Sequence, residues 1–394
     1  MSWPAHDPTN AGSPEGPLTG LRILDLSRIL AGPFATQVLA DLGADVIKVE
    51  RTGVGDETRR WGPPFAPSGD AAYFFVCNRG RRSIELDLGE DADREVILAL
   101  AADADVLMEN FLPGTMERLG LSDDALHARN PALVHGVISG YGHDSSHAAW
   151  PALDFVVQAH AGILAVTGPD AQTPVKAGVP VADLSAGLFC AIGVLAAVHR
   201  AQATGEGGRV EVSLVEACAS LLSNQALSHL VGQTEPRPLG NVHPSIAPYQ
   251  VLRAADGPLA VAVTSEEQFA RLCAVLALEE LAADARFASN ASRVVHRAEL
   301  EALLEAALAH RDVATWVEAL NEAGVAAGAI NTVAEVLADA DIAAGLVAAL
   351  PDGTPQLRTP IRLGGAPLAL SSPPPRLGEH GDAIRAAVRG PNGG

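Results

Sequence analysis

Two strand-like runs enclosing one helical run, with almost no connecting chain, constrain this sequence more than any other feature. LRILDLS (21–27) and DVIKVE (45–50) have the make-up of strands, while GPFATQVLADLGA (32–44) spaces its apolar residues for a helix that Gly43 closes. A strand, helix and strand linked this tightly form a right-handed crossover between parallel strands. The alternation continues with RRSIELDL (81–88) as a strand, 92–102 as a helix, and DVLMENF (105–111) and ALVHGVISGYG (132–142) as strands. An α/β fold with helices on both faces of the sheet follows.

The chain has 394 residues, more than one hydrophobic core usually serves, so two domains are expected. Near Ala226 the character changes. The stretch VGQTEPRPLGNVHPSIAPYQ (231–250) is rich in Pro, Gly and polar residues and reads as a linker or active-site loop. Beyond it, YQVLRAADGPLAVAV predicts two antiparallel strands around Asp256-Gly257, followed by Ala- and Leu-rich helix to about Asn331. Residues 1–16, polar and rich in Pro and Gly, read as a loose tail.

A formal net charge of −20 sets the chain against phosphate backbones, so no nucleic-acid partner is expected. Cys77, Cys190, Cys218 and Cys273 are widely separated and have no His partner at metal-ligand spacing. They read as reduced core thiols, and no metal is expected. The N-terminus lacks a basic stretch followed by an apolar one, and together these features predict a cytoplasmic protein. Leu184–Val198 is the longest apolar run, short of the roughly twenty residues a membrane span requires, so a buried helix and no membrane partner are expected.

Several segments could carry chemistry, and each also has a purely structural reading. In SRILAGPFATQ a strand hands over to a helix at Ala31-Gly32-Pro33, where free N–H groups favour an anion, or where Gly32 merely permits close packing. It is not G-x-G-x-x-G, so a dinucleotide cofactor loses its main support. Arg51, Arg79, Arg81 and Arg82 suit a phosphate-bearing ligand or a charge-balanced surface beside Glu50, Asp56 and Glu57. Asn110 and Phe111 end a strand on the side where open α/β sheets bind ligands, although Asn110 could be a cap. Asp183, in VPVADLSAGLFCAIGVLAAVHR (179–200), stands at the start of a helix. It could cap that helix, or be held ionised by the helix terminus as a carboxylate nucleophile. No serine-hydrolase elbow, phosphate-binding loop or zinc-protease motif is present.

In order along the chain, LTGLRILDLSRILAGPFATQVLADLGADVIKVE, NRGRRSIELDL, ENFLPGTMERLGL, LDFVVQAHAGILAVTG, PVKAGVPVADLSAG, TGEGGRVEVSLVEA, GNVHPSIAPYQ and PPRLGEHGD resemble the class III CoA-transferase family. Formyl-CoA transferase and carnitine CoA-transferase typify that family, and α-methylacyl-CoA racemase shares its fold. The resemblance runs from about Leu18 to Ala387. It implies a Rossmann-like large domain in two segments, 17–225 and 332–394, a linker with a smaller α+β domain at 226–331, and an interlocked homodimer.

For chemistry the resemblance implies that Asp183 attacks an acyl-CoA thioester. A mixed anhydride and then an aspartyl-CoA thioester carry CoA to a carboxylic acid acceptor, with succinyl-CoA a candidate donor. CoA is then a substrate, and no permanently bound cofactor is implied. The implied CoA contacts are Ile29, Leu30, Ala31, Arg51, Leu86, Asp87, Asn110, Phe111 and Arg118, with Asp154 at an acidic site position. His243, Ser245 and Tyr249 are expected to shape the acceptor pocket. Leu30 stands where the formyl-CoA branch has Gln, the tetraglycine loop of that branch is missing, and Leu112 follows ENF where relatives often have Arg or Lys. These differences argue against the formyl-CoA/oxalate pair. The racemase alternative needs a His before Asp154, where this chain has Leu153; a CoA-binding protein without turnover is the other alternative.

Overall fold

The computed structural model describes residues 3–4, 16–350, 352–370 and 372–389. They form two compact units: one of 1–163, 176–231 and 339–394, the other of 164–175 and 232–338.

The first unit is built on six parallel strands: β1 (Arg22–Asp25), β2 (Asp45–Arg51), β3 (Arg81–Leu86), β4 (Val106–Glu109), β5 (Val134–Ser139) and β6 (Gly208–Ser213). Their order is β3-β2-β1-β4-β5-β6, and every pairing is parallel. The order reverses between β1 and β4, and the carboxyl ends of those two strands are where a sheet of this kind places a ligand crevice.

Alternate residues of the strands feed two cores. On one face Ile23, Val46, Val106, Met108 and Val134 pack with α1 (Ala31–Asp41) and with Ala186, Cys190 and Val194 of a long helix, Val181–Thr204. On the other, Leu24, Ile47, Ile84 and Leu107 pack with α2 (Asp91–Ala101), with Leu126 of α3 (Asp123–Arg129) and with Ile384 and Val388 near the C-terminus.

The long helix follows α4 (Asp154–His160) and is labelled α5. Its sheet-facing side is Ala, Gly, Ser, Cys and Val; a Cβ on Gly187 would stand 2.6 Å from the Ala31 carbonyl oxygen, so only glycine lets α1 and α5 approach so closely. At 24 residues it is long and apolar enough to cross a membrane, longer than the apolar run suggested, yet its small-residue face is packed on the sheet. The opposite face leaves Leu188, Phe189 and Ile192 exposed. After β6 come α6 (Leu214–Ser220) and α7 (Ser223–Gly232), the latter continuing through the point where the sequence reads as a linker.

Two expectations are corrected in this unit. Trp3 is not part of a loose tail: it is buried, and its indole N–H donates to Asp45 Oδ2 at 2.7 Å. The rest of 1–16 except Pro4 and Gly16 lies outside the described residues. Arg79, Arg81 and Arg82 do not stand on the surface, whether for a ligand's phosphates or for solvent. Each is buried against an aspartate: Arg79 with Asp41, Arg81 with Asp25 at 2.9 Å and Arg82 with Asp45 at 2.6 Å. These guanidiniums lie at or just before the start of β3 inside the protein, and a buried charge persists only when paired.

In the second unit, β7 (Tyr249–Arg253), β8 (Pro258–Ala262) and β9 (Ala326–Ala329) form an antiparallel sheet, with the hairpin where the sequence puts it. Leu252, Leu259 and Val261 pack on Phe269, Leu272, Leu304 and Trp316 of the intervening helices. Residues 233–248 have no helix or strand. Asn290 Nδ2 donates to the Ser245 carbonyl at 2.9 Å and Arg297 donates to the His243 carbonyl at 2.8 Å, so this stretch is anchored to its own unit. Tyr249 stacks on His243 with ring centroids 5.0 Å apart.

Candidate active site

The crevice between β1 and β4 is organised by hydrogen bonds to the main chain. Asn110, just past β4, accepts from Arg28 N at 2.9 Å and donates to Arg28 O at 2.7 Å. It therefore clamps the turn that follows β1, rather than capping a helix. Ile29 adopts φ +70°, a costly conformation for a β-branched residue, and Asp56 holds it by accepting from Ile29 N at 3.2 Å. Asp56 is in turn locked by a buried ion pair with Lys48 at 3.0 Å. This turn delivers the N-terminus of α1, which no side chain caps, so its first N–H groups are left without a side-chain partner.

The residues expected to contact CoA divide into two kinds. Leu30, Ala31 and Leu86 are buried, so a ligand in the crevice could meet only their main chain. Arg51 and Arg118 are exposed cations, Phe111 is partly exposed, and Ile29 is half-buried. The Arg28 guanidinium lies 5.3 Å from the centre of the Phe111 ring. Asp87 is exposed at the end of β3 and borders a cavity of about 400 Å³ lined also by Glu85, Asp93, Glu379 and Asp382. Arg385 lines the same cavity and pairs with Asp93 at 2.8 Å, so carboxylates outnumber cations around Asp87 and the corner does not favour a phosphate group.

Asp183 occupies the first turn of α5 but is not its cap. The cap position is Pro180, and no side chain of the preceding segment bonds the helix end. Asp154 performs that task through space: its Oδ1 accepts from Ala182 N at 2.8 Å and from Asp183 N at 3.4 Å. Its Oδ2 accepts from Gln158 Nε2 at 2.6 Å, and Gln158, itself fully buried, accepts from Ala177 N at 2.9 Å. One turn of α4 thus fixes the whole approach to Asp183. Against the pull of the helix terminus towards an ionised Asp183 stand burial and a second acid. Burial pushes its carboxyl up to about 7, and the nearby Asp154 charge pushes in the same direction. Among the described residues no donor reaches its oxygens.

Tyr73 completes this neighbourhood. Its phenol is pushed up to about 12 by burial, then by the charge of Asp183, with Cys77 and Asp154 contributing less. It stays a neutral hydrogen-bond donor at any ordinary pH, and its ring meets Trp61 edge-on at 5.3 Å. Tyr73 and Gln158 carry no signal in the sequence, and Asp56 reads there only as part of a charge-balanced surface. Their roles arise from contacts across 19 to 110 residues of chain, which no local spacing encodes.

All four cysteines are free and buried, as expected of core thiols. His243, Ser245 and Tyr249 lie in the second unit.

The model of CoA-transferase family III matches residues 18–381. A succinate–glutarate CoA-transferase of Agrobacterium fabrum is 40% identical over 383 residues, covering 94% of this chain and 96% of that protein. An acetyl-CoA:oxalate CoA-transferase of Acetobacter aceti is 38% identical over 310 residues, covering 78% of this chain and 79% of the relative. Among solved structures, a CaiB/BaiF family protein from Brucella suis superposes with a TM-score of 0.86 at 44% identity, covering 95% of this chain and 100% of its own. The chain belongs to CoA-transferase family III and is an acyl-CoA:carboxylate CoA-transferase.

Proposed function

We propose that Asp183 is the nucleophile and that CoA passes through it by way of covalent intermediates. The carrying observation is that Asp183 has its main chain pinned by Asp154 while its carboxyl group is unpaired and raised to about 7. The ionised carboxylate adds to the thioester carbonyl, the C–S bond breaks, and CoA thiolate leaves a mixed anhydride. The thiolate then attacks the Asp183 carbonyl and releases the donor's carboxylate, leaving an aspartyl-CoA thioester. The acceptor carboxylate attacks that thioester, and the thiolate returns to the acceptor's carbonyl, regenerating Asp183.

Both covalent intermediates make Asp183 neutral. The burial and repulsion that disfavour its charge are therefore relieved as it reacts, which helps offset the cost of turning a thioester into an anhydride. Tyr73 supplies a neutral donor beside this charge, suited to oxyanion stabilisation.

The crevice between β1 and β4 is our site for CoA. The N-terminus of α1, Arg51 and Arg118 suit its phosphates, and Ile29 to Ala31, Leu86, Asp87, Asn110 and Phe111 suit its remaining contacts. Succinyl-CoA and a second dicarboxylic acid are our candidate substrates, because a relative sharing 40% of its residues is named for succinate and glutarate. A second copy of the chain is the proposed cover for Leu188, Phe189 and Ile192 of α5 and for Leu227, Leu230 and Val231 of α7, giving a homodimer. The four free, buried thiols suit the cytoplasm.

The test is a panel of acyl-CoAs against carboxylic acids, with product CoA esters followed by mass and deuterated water as solvent. New CoA esters are expected from the wild-type protein and none from Asp183→Ala, which still binds CoA. Deuterium entering the α-carbon without CoA exchange would mean racemisation instead. Leu153, with no proton to give, speaks against that reading.

A further inference from the structure

Glu109 ends β4 inside the protein, on the sheet face away from α5, and the transfer chemistry makes no use of it. Its Oε2 accepts from Phe111 N at 2.5 Å. The residue between them, Asn110, holds both the N–H and the carbonyl of Arg28. One buried carboxylate therefore sets the geometry of two turns, 28–31 and 110–111, on the two sides of the crevice.

Glu109 does not stand alone. His135 on β5 is buried, with Nδ1 on Asp123 of α3 and Nε2 at 3.9 Å from Glu109 Oε1, without a hydrogen bond of its own. Asp123 reaches Arg209 of β6 at 3.2 Å, and Arg209 reaches Glu211 and His143 Nε2. His143 Nδ1 and Glu211 lie 2.5 Å apart. Through space Arg209 favours the charged form of Glu109, while Glu117 and Asp123 disfavour it. Imidazole and carboxyl groups thus run from partly exposed Glu211 and His143 to the buried end of β4.

We infer that Glu109 is a positioning residue for acyl-CoA, its carboxylate form holding the two CoA-binding turns in register and its protonated form loosening them. This rests on the CoA reading of the crevice proposed above. The charged form makes the stronger bond to Phe111 N, since an ionised acceptor roughly doubles a hydrogen bond's strength. Burial pushes the Glu109 carboxyl up to about 7, so the change falls in a range an enzyme meets.

The test is calorimetric titration of CoA into full-length wild-type, Glu109→Gln and Asp123→Asn proteins from pH 6 to pH 8.5, with KM and kcat measured alongside. Glu109→Gln is expected to weaken CoA binding by roughly fivefold above pH 7.5, through KM with kcat retained. Wild-type Kd is expected to rise as pH falls through neutrality more steeply than that of Glu109→Gln. CoA's own phosphates titrate in both proteins and cancel in the difference. Asp123→Asn leaves the Phe111 bond in place and is expected to shift the midpoint of the wild-type slope, so it serves if Glu109→Gln fails to fold. Wild-type Kd and pH slope in both variants, or a loss confined to kcat, would overturn the inference while leaving the nucleophile reading intact. A wild-type protein that does not bind CoA would overturn both.

Discussion

Two groups of buried or half-buried acids in one unit follow opposite rules. Around the start of β3, Asp25, Asp41 and Asp45 each face an arginine, and Asp25 also accepts from Thr36 Oγ1 at 2.6 Å. At the start of α5, Asp183 and Asp154 face each other, with no cation among the groups that shift Asp183. The first arrangement removes reactivity, since a carboxylate surrounded by donors is a poor nucleophile. The second concentrates it, because the only favourable route open to Asp183 is to lose its charge, by proton or by acyl group. Unpaired charge in a folded protein is expensive, and here the expense falls where bonds are made.

The contrast can be broken at either end. Asp183→Asn is expected to lower CoA transfer by at least about a thousandfold, as removal of a nucleophile does, while melting temperature does not fall; assay and thermal scan read this together. Arg81→Met would do the reverse: it removes the ion-pair partner of Asp25, leaving the more distant Lys48 charge, and should cost about 3–5 kcal/mol in denaturant unfolding, with any residual folded enzyme active. Asp154→Asn can keep its bond to Ala182 N through Oδ1 but loses its charge. Transfer should fall within about tenfold, and the midpoint of kcat/KM against pH should move below the wild-type value.

The smallest effect concerns stability. Because folding raises the Asp183 carboxyl to about 7, the folded state holds its proton better than the unfolded state, and that contribution is lost as pH rises through 7. The wild type should therefore lose stability relative to Asp183→Asn progressively between about pH 4 and pH 7, and the difference should level off above pH 7.

The parallel sheet was legible because each strand and helix announces itself within a few residues: the 21–50 crossover and the 249–262 hairpin appear with the boundaries nearly as read. The arginines of NRGRRS were not. Nothing local says whether a guanidinium faces solvent, and their partners Asp41, Asp25 and Asp45 come from other elements. Asp183 could be picked out by position and resemblance, but its state could not. Whether a carboxyl at a helix start is capped, paired or isolated depends on Asp154, 29 residues away. The same holds for Glu109, whose partner His135 lies on the neighbouring strand.

The most direct measurement of the central claim is peptide mapping after a hydroxylamine quench. Enzyme mixed with succinyl-CoA and no acceptor should yield an aspartyl hydroxamate at Asp183, dependent on succinyl-CoA and absent when CoA alone is supplied. Turnover to a new CoA ester with no modification at Asp183, or with the hydroxamate at Asp154 instead, would contradict the account.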